Sequence, residues 1–596
     1  MWLEDYALIG DTHTAALVGN NGSIDWLCLP RFDSAACFAS LLGGHQHGRW
    51  LIAPAAHVTG RERRYRAGTL VLETDYFTED GAARLIDCMP IRGRLPEVIR
   101  VVEGLRGSMR MRMELIMRFD YGAVVPWVRN IEGVLHAVAG PDALCLRTPV
   151  RTEGRVDGEQ RRTVAEFTVD AGERVPFVLQ WHPSHDPLPP RVDADRALEA
   201  TTGWWQDWSN HCTHSGPWHD VVIRSLVTLK ALTYEPTGGI VAAPTTSLPE
   251  RLGGRRNWDY RYCWIRDSTF ALYALLTSGY KKEAVAWRDW LLRAVAGDPS
   301  KLQIMYGVSG ERRLTELELS WLPGYEGSSP VRVGNAAWRQ SQLDVFGELM
   351  DTLHTARRVG VETSEHAWAV QRHFLDYLEH AWDQPDEGIW ETRGPKQQFV
   401  HSKVMAWVAV DRAVRDSERY GLPGDRDRWS RLRALIHAEV CAKGYDASRR
   451  TFVQSYGSRH LDSSLLLMPL VGFLPPSDER IRGTVQAIER ELMQEGFLLR
   501  YSPDTPDGLP PGEGVFLACS FWLADTYVLL GEMDKARRLF ERLVGLRNDV
   551  GLLSEEYEPQ ARRMLGNFPQ ALSHLSLVNT AYNLSRKEGP AAARQN

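Results

Sequence analysis

What the chain lacks narrows its function before any motif is read. No apolar run approaches the roughly 18 residues needed to span a bilayer, and the opening MWLEDYALIGDTHTAALV has no basic segment leading into a long apolar one. Neither a membrane span nor a secretory leader is expected, and the sequence predicts a cytoplasmic protein. A basic excess is also missing: 70 Lys and Arg face 76 Asp and Glu, a formal net charge of -6. Such a balance offers no cationic face for counterion release, so nucleic acid is not an expected partner. The eight cysteines, Cys28, Cys37, Cys88, Cys145, Cys212, Cys263, Cys441 and Cys519, form no CxxC pair and no regular spacing, and they read as reduced thiols. In HCTHSGPWH the side chains of His211, Cys212, His214 and His219 are conceivable metal ligands, but their spacing matches no common zinc pattern. That stretch reads as a polar loop between domains. No metal and no cofactor are implied. Biased composition is absent as well. With 43% hydrophobic and 24% charged residues the chain has the balance of an ordinary globular protein, and disorder is expected only in the tail KEGPAAARQN.

What is present is length and two distinct periodicities. At 596 residues the chain exceeds what one core supports, roughly 250 to 300 residues, so at least two domains are expected. Residues 1–192 alternate short apolar runs with turn signals. In AALVGNNGSIDWLCLP the pair Asn21-Gly22 suits a tight hairpin, and RYRAGTLVLETDYFTEDGAARLIDCMP and RRTVAEFTVDAGERVPFVLQW repeat the pattern. An antiparallel β-sandwich is the expected solution. Residues 193–217, with ADRALEATTGWWQDWSNH, predict a linker helix.

From residue 218 to 590 the period is that of amphipathic helices. Twelve are expected, beginning near His219, Asp267, Lys281, Ala336, Ser364, Lys396, Arg426, Ser463, Ser477, Phe516, Met533 and Pro569. Six helical hairpins can close into an (α/α)6 barrel. Connections after the even-numbered helices are short and turn-like. Those after the odd-numbered helices often exceed the roughly 12 to 15 residues at which a loop usually has a task. One end of the barrel is therefore elaborated, and the site is expected there.

The long loops collect the unusual residues. NWDYRYCWIRDS packs Trp258, Tyr260, Tyr262, Trp264, Arg266 and Asp267 into one segment. ELSWLPGYEGSSPVRVGN carries Trp321, Tyr325, Glu326, Arg332 and Asn335, GIWETRG carries Trp390, Glu391 and Arg393, and GLLSEEYEP carries Glu555, Glu556 and Glu558. Aromatic faces beside carboxylates and arginines suit a sugar, which has an apolar C–H face and a rim of hydroxyls. Cleaving a glycosidic bond takes two carboxyl groups, one to protonate the leaving oxygen and one to activate water or attack directly.

With these segments in hand, the chain resembles glycoside hydrolase family 15, the glucoamylase-like family, in its bacterial branch of trehalases and isomaltose glucohydrolases. LEDYALIGD with NNGSIDWLCLPRFDS resembles the trehalase-like N-terminal β domain, and WIRDSTF resembles the Trp-x-Arg-Asp substrate motif. IWETRG is similar to the Leu-Trp-Glu acid motif, and LSEEYEP to the Leu-Ser-Glu base motif. The resemblance spans essentially the whole chain. It implies Glu391 as general acid and Glu555 as general base of an inverting hydrolysis, with Arg266 and Asp267 holding the terminal glucose between Tyr260 and Trp264. Trp258 and Trp390 are further expected substrate contacts.

One departure bears on the substrate. Where fungal glucoamylases have a tryptophan in a Gly-Ser-Trp-Gly stretch, this chain reads GYEGSSPVRVGN, which puts Tyr325, Glu326 and Arg332 on the expected leaving-group side. Small α-gluco-oligosaccharides, cleaved from the non-reducing end, are therefore the expected substrates, with α,α-trehalose as the alternative. An inverting disaccharide phosphorylase and a non-catalytic carbohydrate-binding protein are the remaining rivals. Glu555 speaks against the phosphorylase, and the second carboxylate speaks against the binding protein. Homo-oligomerisation is left open.

Overall fold

The structure is a computed structural model that describes residues 1–157, 160–361, 365–585 and 589–595. An N-terminal antiparallel sheet domain precedes a helical barrel. The sheets meet in one long strand, Glu97–Ile116. Its first half pairs with Arg174–Pro183 and Gly81–Cys88, its second half with Gln160–Asp170 and Arg49–Pro54. Gly107 at the changeover has φ +66°, and a Cβ there would lie 2.3 Å from the Asp80 carbonyl oxygen, so only glycine turns the strand from one sheet into the other. The expected hairpin is present, with Ala15–Gly19 antiparallel to Ser23–Cys28.

Helix α1 (Ala194–Ser209) links the sheets to the barrel, capped by the Asp193 carboxylate on the Arg196 amide. The barrel comprises α2 (His219–Ala231), α3 (Ser268–Thr277), α4 (Lys281–Val295), α5 (Asp344–Arg358), α6 (Glu365–Ala381), α7 (Val400–Tyr420), α8 (Arg426–Lys443), α9 (Leu467–Leu470), α10 (Glu479–Glu491), α11 (Leu517–Leu529), α12 (Met533–Val544) and α13 (Ala571–Ser585). Helices α3, α5, α7, α9, α11 and α13 touch in sequence and close into an inner ring. They are buried nearly all round, as an inner wall requires. The outer helices bury one stripe each: α12 buries Ala536, Leu539, Phe540 and Leu543.

Three helix starts differ from expectation, and Ser364 lies outside the described residues. At Ala336 only a 3-10 turn, Ala336–Arg339, forms before α5 begins at Asp344. The reason is tertiary: Gln340 donates through Nε2 to the carbonyl oxygens of Glu391 and Thr392, holding this segment against a neighbouring loop. Residues 396–399 extend into bridges, Asp386 with Gln397 and Phe399 with Ser455, so α7 starts at Val400 instead of Lys396. From Ser463 the chain makes a 3-10 turn and then only the single-turn α9, which ends at Leu470 before the left-handed Gly472.

Of the tail expected to be disordered, Lys587, Glu588 and Asn596 lie outside the described residues, while Pro590–Gln595 form α14, and Arg594 is buried with its Nε 2.8 Å from Asp351 of α5. A guanidinium that neutralises a buried carboxylate of the inner ring explains why this polar segment docks.

The long connections carry short antiparallel pairs that stitch one loop to the next. Cys263–Trp264 pairs with Met305–Tyr306, and Val515–Phe516 pairs with Glu556–Glu558, which pairs with Arg563–Leu565. The loop-bearing end is thus a continuous rim. All eight cysteines are free thiols. His211, His214 and His219 turn ring nitrogens to main-chain groups, and with Cys212 they do not converge on a common point among the described residues. No helix among the described residues is long and apolar enough to cross a membrane.

Candidate active site

A cavity opens at the elaborated end of the barrel, lined by residues from several of the long connections. Its floor holds Tyr260, Trp264, Trp390 and Glu391, together with Glu250 and Arg500. Trp258, Asn335, Thr392 and Arg393 also line it.

Glu391 follows Trp390 in left-handed backbone, φ +51°, an uncommon conformation for a residue with a side chain. The turn presents the carboxyl group to the cavity, where its side chain is 18% exposed. Oε1 accepts from Trp264 Nε1 at 3.1 Å and from Arg266 Nη1 at 3.2 Å. Burial raises its pKa above the ordinary glutamate value, and the Arg266 charge works against that rise. Trp390 is fixed by its Nε1, which donates to Asp462 at 3.0 Å.

Glu555 is almost fully buried in the connection before α13, and Asn567 N donates to its Oε2 at 3.1 Å. Gly566 makes room for it. With φ +72°, a Cβ at this position would lie 2.4 Å from Glu555 Oε2. Glu555 is not among the residues lining the cavity. Tyr260 is the link: its phenol lies close enough to Glu555 to work against the rise in that carboxyl's pKa, and its own pKa is raised by burial and then by the charges of Glu555, Glu250 and Glu391. The two carboxyl groups therefore lie around one aromatic ring that lines the cavity.

Burial, then the nearby Glu250 charge, pushes Glu555 up to about 8. Glu250, Glu513 and Glu556 bring carboxylate oxygens within 4.8 Å of one another, the geometry of a cation site. Arginines already supply the positive charge. Arg500 lies 2.7 Å from Glu250 and donates through Nε to Glu513 at 3.0 Å, while Arg256 lies 2.8 Å from Glu513 and 2.7 Å from Asp507. The cluster is a carboxylate–guanidinium network that forms part of the cavity wall through Glu250, Arg256 and Arg500.

The other expected contacts divide. Tyr260 and Trp264 meet edge to face at 5.1 Å, and with Trp258 and Trp390 they line the cavity. Arg266 and Asp267 sit behind it: Arg266 Nε bonds Asp267 at 2.9 Å, and its Nη1 reaches Glu391. Arg332 lies over the Trp258 ring, 4.8 Å from its centroid, and donates to the Arg255 and Asn257 carbonyls at 3.0 and 3.2 Å. Tyr325 and Glu326 are not in the lining. Arg563 Nη2 pairs with Glu326 at 2.7 Å, and the Tyr325 hydroxyl donates to the Met1 carbonyl at 3.1 Å, so this turn serves to dock the first residues of the chain.

Lining residues that sequence reasoning did not select as site residues are Glu250, Arg256, Asn335, Ala337, Thr392, Arg393, Arg500, Tyr501 and Leu509. The Arg500-Tyr501 pair in the fifth long connection was the available signal, since that loop rises from the same end as the others.

Residues 216–582 match the family model described as Glycosyl hydrolases family 15, and residues 1–203 match that described as Trehalase-like, N-terminal. A protein named Trehalase from Mycobacterium tuberculosis is 38% identical over 99% of this chain and 90% of its own length. Another so named, from Thermoplasma acidophilum, is 36% identical over 95% of this chain and 98% of its own. A bacterial glucoamylase crystallised with acarbose is similar in fold, with TM-score 0.73, 12% identity, and 98% of this chain and 94% of that one covered.

Proposed function

The chain belongs to glycosyl hydrolases family 15 and is a hydrolase of α-glucosides, and on that footing we propose that its substrate is α,α-trehalose, with Glu391 as general acid and Glu555 as general base of an inverting cleavage. The observation that carries the reading is the similarity along nearly the whole chain to proteins named Trehalase, 38% and 36% identical over 99% and 95% of this chain, together with the residues that line the cavity. Its wall presents a carboxyl group whose raised pKa favours the protonated form an acid needs.

In this mechanism Glu391 protonates the oxygen between the two glucoses as the bond breaks. Glu555 takes a proton from a water that attacks the anomeric carbon from the opposite face. Arg266 steadies Glu391, a role that holds a proton donor in place instead of the direct grip on sugar hydroxyls expected for it. Cleavage from the non-reducing end of gluco-oligosaccharides was the leading expectation. Near full-length similarity to proteins named Trehalase favours the trehalose alternative, and the absence of Glu326 from the cavity lining removes a contact expected on the leaving-group side.

The test is a substrate panel. Glucose release from trehalose, isomaltose, maltose and soluble starch should give the highest kcat/KM for trehalose. Faster cleavage of maltose or starch contradicts the assignment.

A further inference from the structure

The outer part of the cavity has a construction of its own. Tyr260, Trp264 and Trp390 are 9%, 3% and 7% exposed, whereas Trp258 is half-buried and the Arg393 side chain is 25% exposed. The latter two therefore lie nearer solvent than the aromatic group around Glu391. Two guanidinium groups, Arg332 and Arg393, each lie 4.8 Å from the Trp258 ring centroid. Glu316 binds both, Oε1 at 3.7 Å from Arg332 and Oε2 at 3.5 Å from Arg393. Glu316 is itself fixed, since the Ala336 amide donates to Oε2 at 2.9 Å.

The two arginines have different work. Arg332 spends its fork on the Arg255 and Asn257 carbonyls and on Glu318 at 3.4 Å, and it does not line the cavity. Arg393 does. Its main chain is pinned by its amide, which donates to the Asp507 carbonyl at 2.8 Å, and Glu316 is its one ion-pair partner among the described residues. A guanidinium has five N–H donors in a rigid plane, so most of this fork is available to a ligand. Arg393 also stands two residues after Glu391, on the loop that delivers the proton to the leaving oxygen.

Resting on the trehalose reading, we propose that Arg393, stacked on Trp258 and oriented by Glu316, is the specificity-determining residue for the leaving glucose, whose ring hydroxyls next to the scissile oxygen accept from its guanidinium. A sugar meeting this wall finds a fork of donors where a glucan chain would need free aromatic faces, because guanidinium groups already lie over the Trp258 ring. The wall thereby selects a compact polyhydroxylated leaving group. Asn335, with its Nδ2 committed to the Asp259 carbonyl at 3.3 Å, and Thr392 complete the surround.

The experiment compares trehalose with α-glucosyl fluoride, which presents the same glucosyl half to Glu391 and Glu555 but leaves as fluoride without a second sugar. Arg393→Ala should lose about 10- to 100-fold in kcat/KM on trehalose, the worth of one or two charged hydrogen bonds, and stay within about 3-fold of wild type on the fluoride. Equal losses on both substrates would place Arg393 at the glucosyl half or behind Glu391 and overturn the proposal. Unchanged activity on trehalose would overturn it as well. Should Arg393→Ala not fold, judged by Tm, Arg393→Lys keeps the charge, loses the fork and is expected to show the same split. A wild-type enzyme that cleaves the fluoride but not trehalose contradicts the substrate reading instead, and the split is then measured on whichever α-glucosyl disaccharide it cleaves best.

Discussion

At the scale of single residues, the site is governed by the buried carboxyl groups that crowd around Arg500. Glu250, Glu555 and Glu556 are each raised, by burial first; the Glu250 charge adds to the rise of Glu555 and Glu556, the Glu513 charge adds to that of Glu250, and Arg500 opposes all three. A base with a raised pKa is ionised only above that value, so the acid limb of kcat/KM lies above the ordinary glutamate range and activity is lost as pH falls through it. Glu391 is raised too and must stay protonated, which moves the alkaline limb upward. Glu250→Gln removes the charge that, after burial, raises Glu555 most and frees Arg500 from an ion pair, and both changes lower the Glu555 pKa. The acid limb should therefore move to lower pH, whatever happens to the maximum rate. A pH–rate profile in which that limb stays in place or moves up contradicts this electrostatic account.

Legibility differs sharply among these residues. Glu391 and Glu555 were readable because IWETRG and LSEEYEP are local strings on long loops. Glu326 misled for the opposite reason: a charged residue in a loop says nothing of its partner, and its partner Arg563 lies 237 residues away. Arg500 was overlooked because its carboxylate partners Glu250 and Glu556 come from two other connections.

At the scale of elements, the inner ring is held by buried charge as well as by apolar packing. Arg412 of α7 is fully buried, with its Nε 2.7 Å from Asp351 of α5, its Nη1 2.6 Å from Asp411, and its Nη2 on the Val471 and Arg594 carbonyls at 3.0 and 2.9 Å. Burial pushes Asp351 up, but Arg412 and Arg594 outweigh it and hold it at about 2. Arg412→Ala leaves Asp351 half-neutralised and two carbonyls without a donor. The expected loss is about 3–5 kcal/mol by denaturant unfolding, because removing one partner of a buried pair strands the other. A change below about 1 kcal/mol would show that Arg594 alone suffices.

Helix periods were readable here because Asp caps and apolar stripes are local: Asp425 and Asp478 cap α8 and α10. The two-residue strands of the rim were not, since a strand that short has no period. The docking of α14 depends on Asp351, which is remote in sequence.

At the scale of the molecule, the sheet domain is a brace for the catalytic rim. Trp26 Nε1 donates to the Pro244 carbonyl at 2.8 Å. Arg261 reaches the Ser34 carbonyl at 2.8 Å while paired with Asp259 at 2.7 Å. Asp259 in turn accepts from the Gly334 amide at 2.9 Å, so the first two loops of the rim are tied to the N-terminal sheets. Glu4 accepts from the Met564 amide, beside the strand that carries Gly566 and the seat of Glu555. The first residues of the chain are thus tied to the segment that seats Glu555.

The roles proposed for Glu391 and Glu555 make one stereochemical commitment, that Glu555 acts through water and not as a nucleophile. In trehalose each glucose is α-linked through its anomeric carbon. Attack by water inverts one half to β-glucose, whereas the leaving half keeps its own C–O bond and departs as α-glucose. Proton NMR of a fresh trehalose digest, read before mutarotation, should show the two anomers appearing in equal amounts. If α-glucose alone appears, the enzyme retains configuration and the central assignment of Glu391 and Glu555 is contradicted.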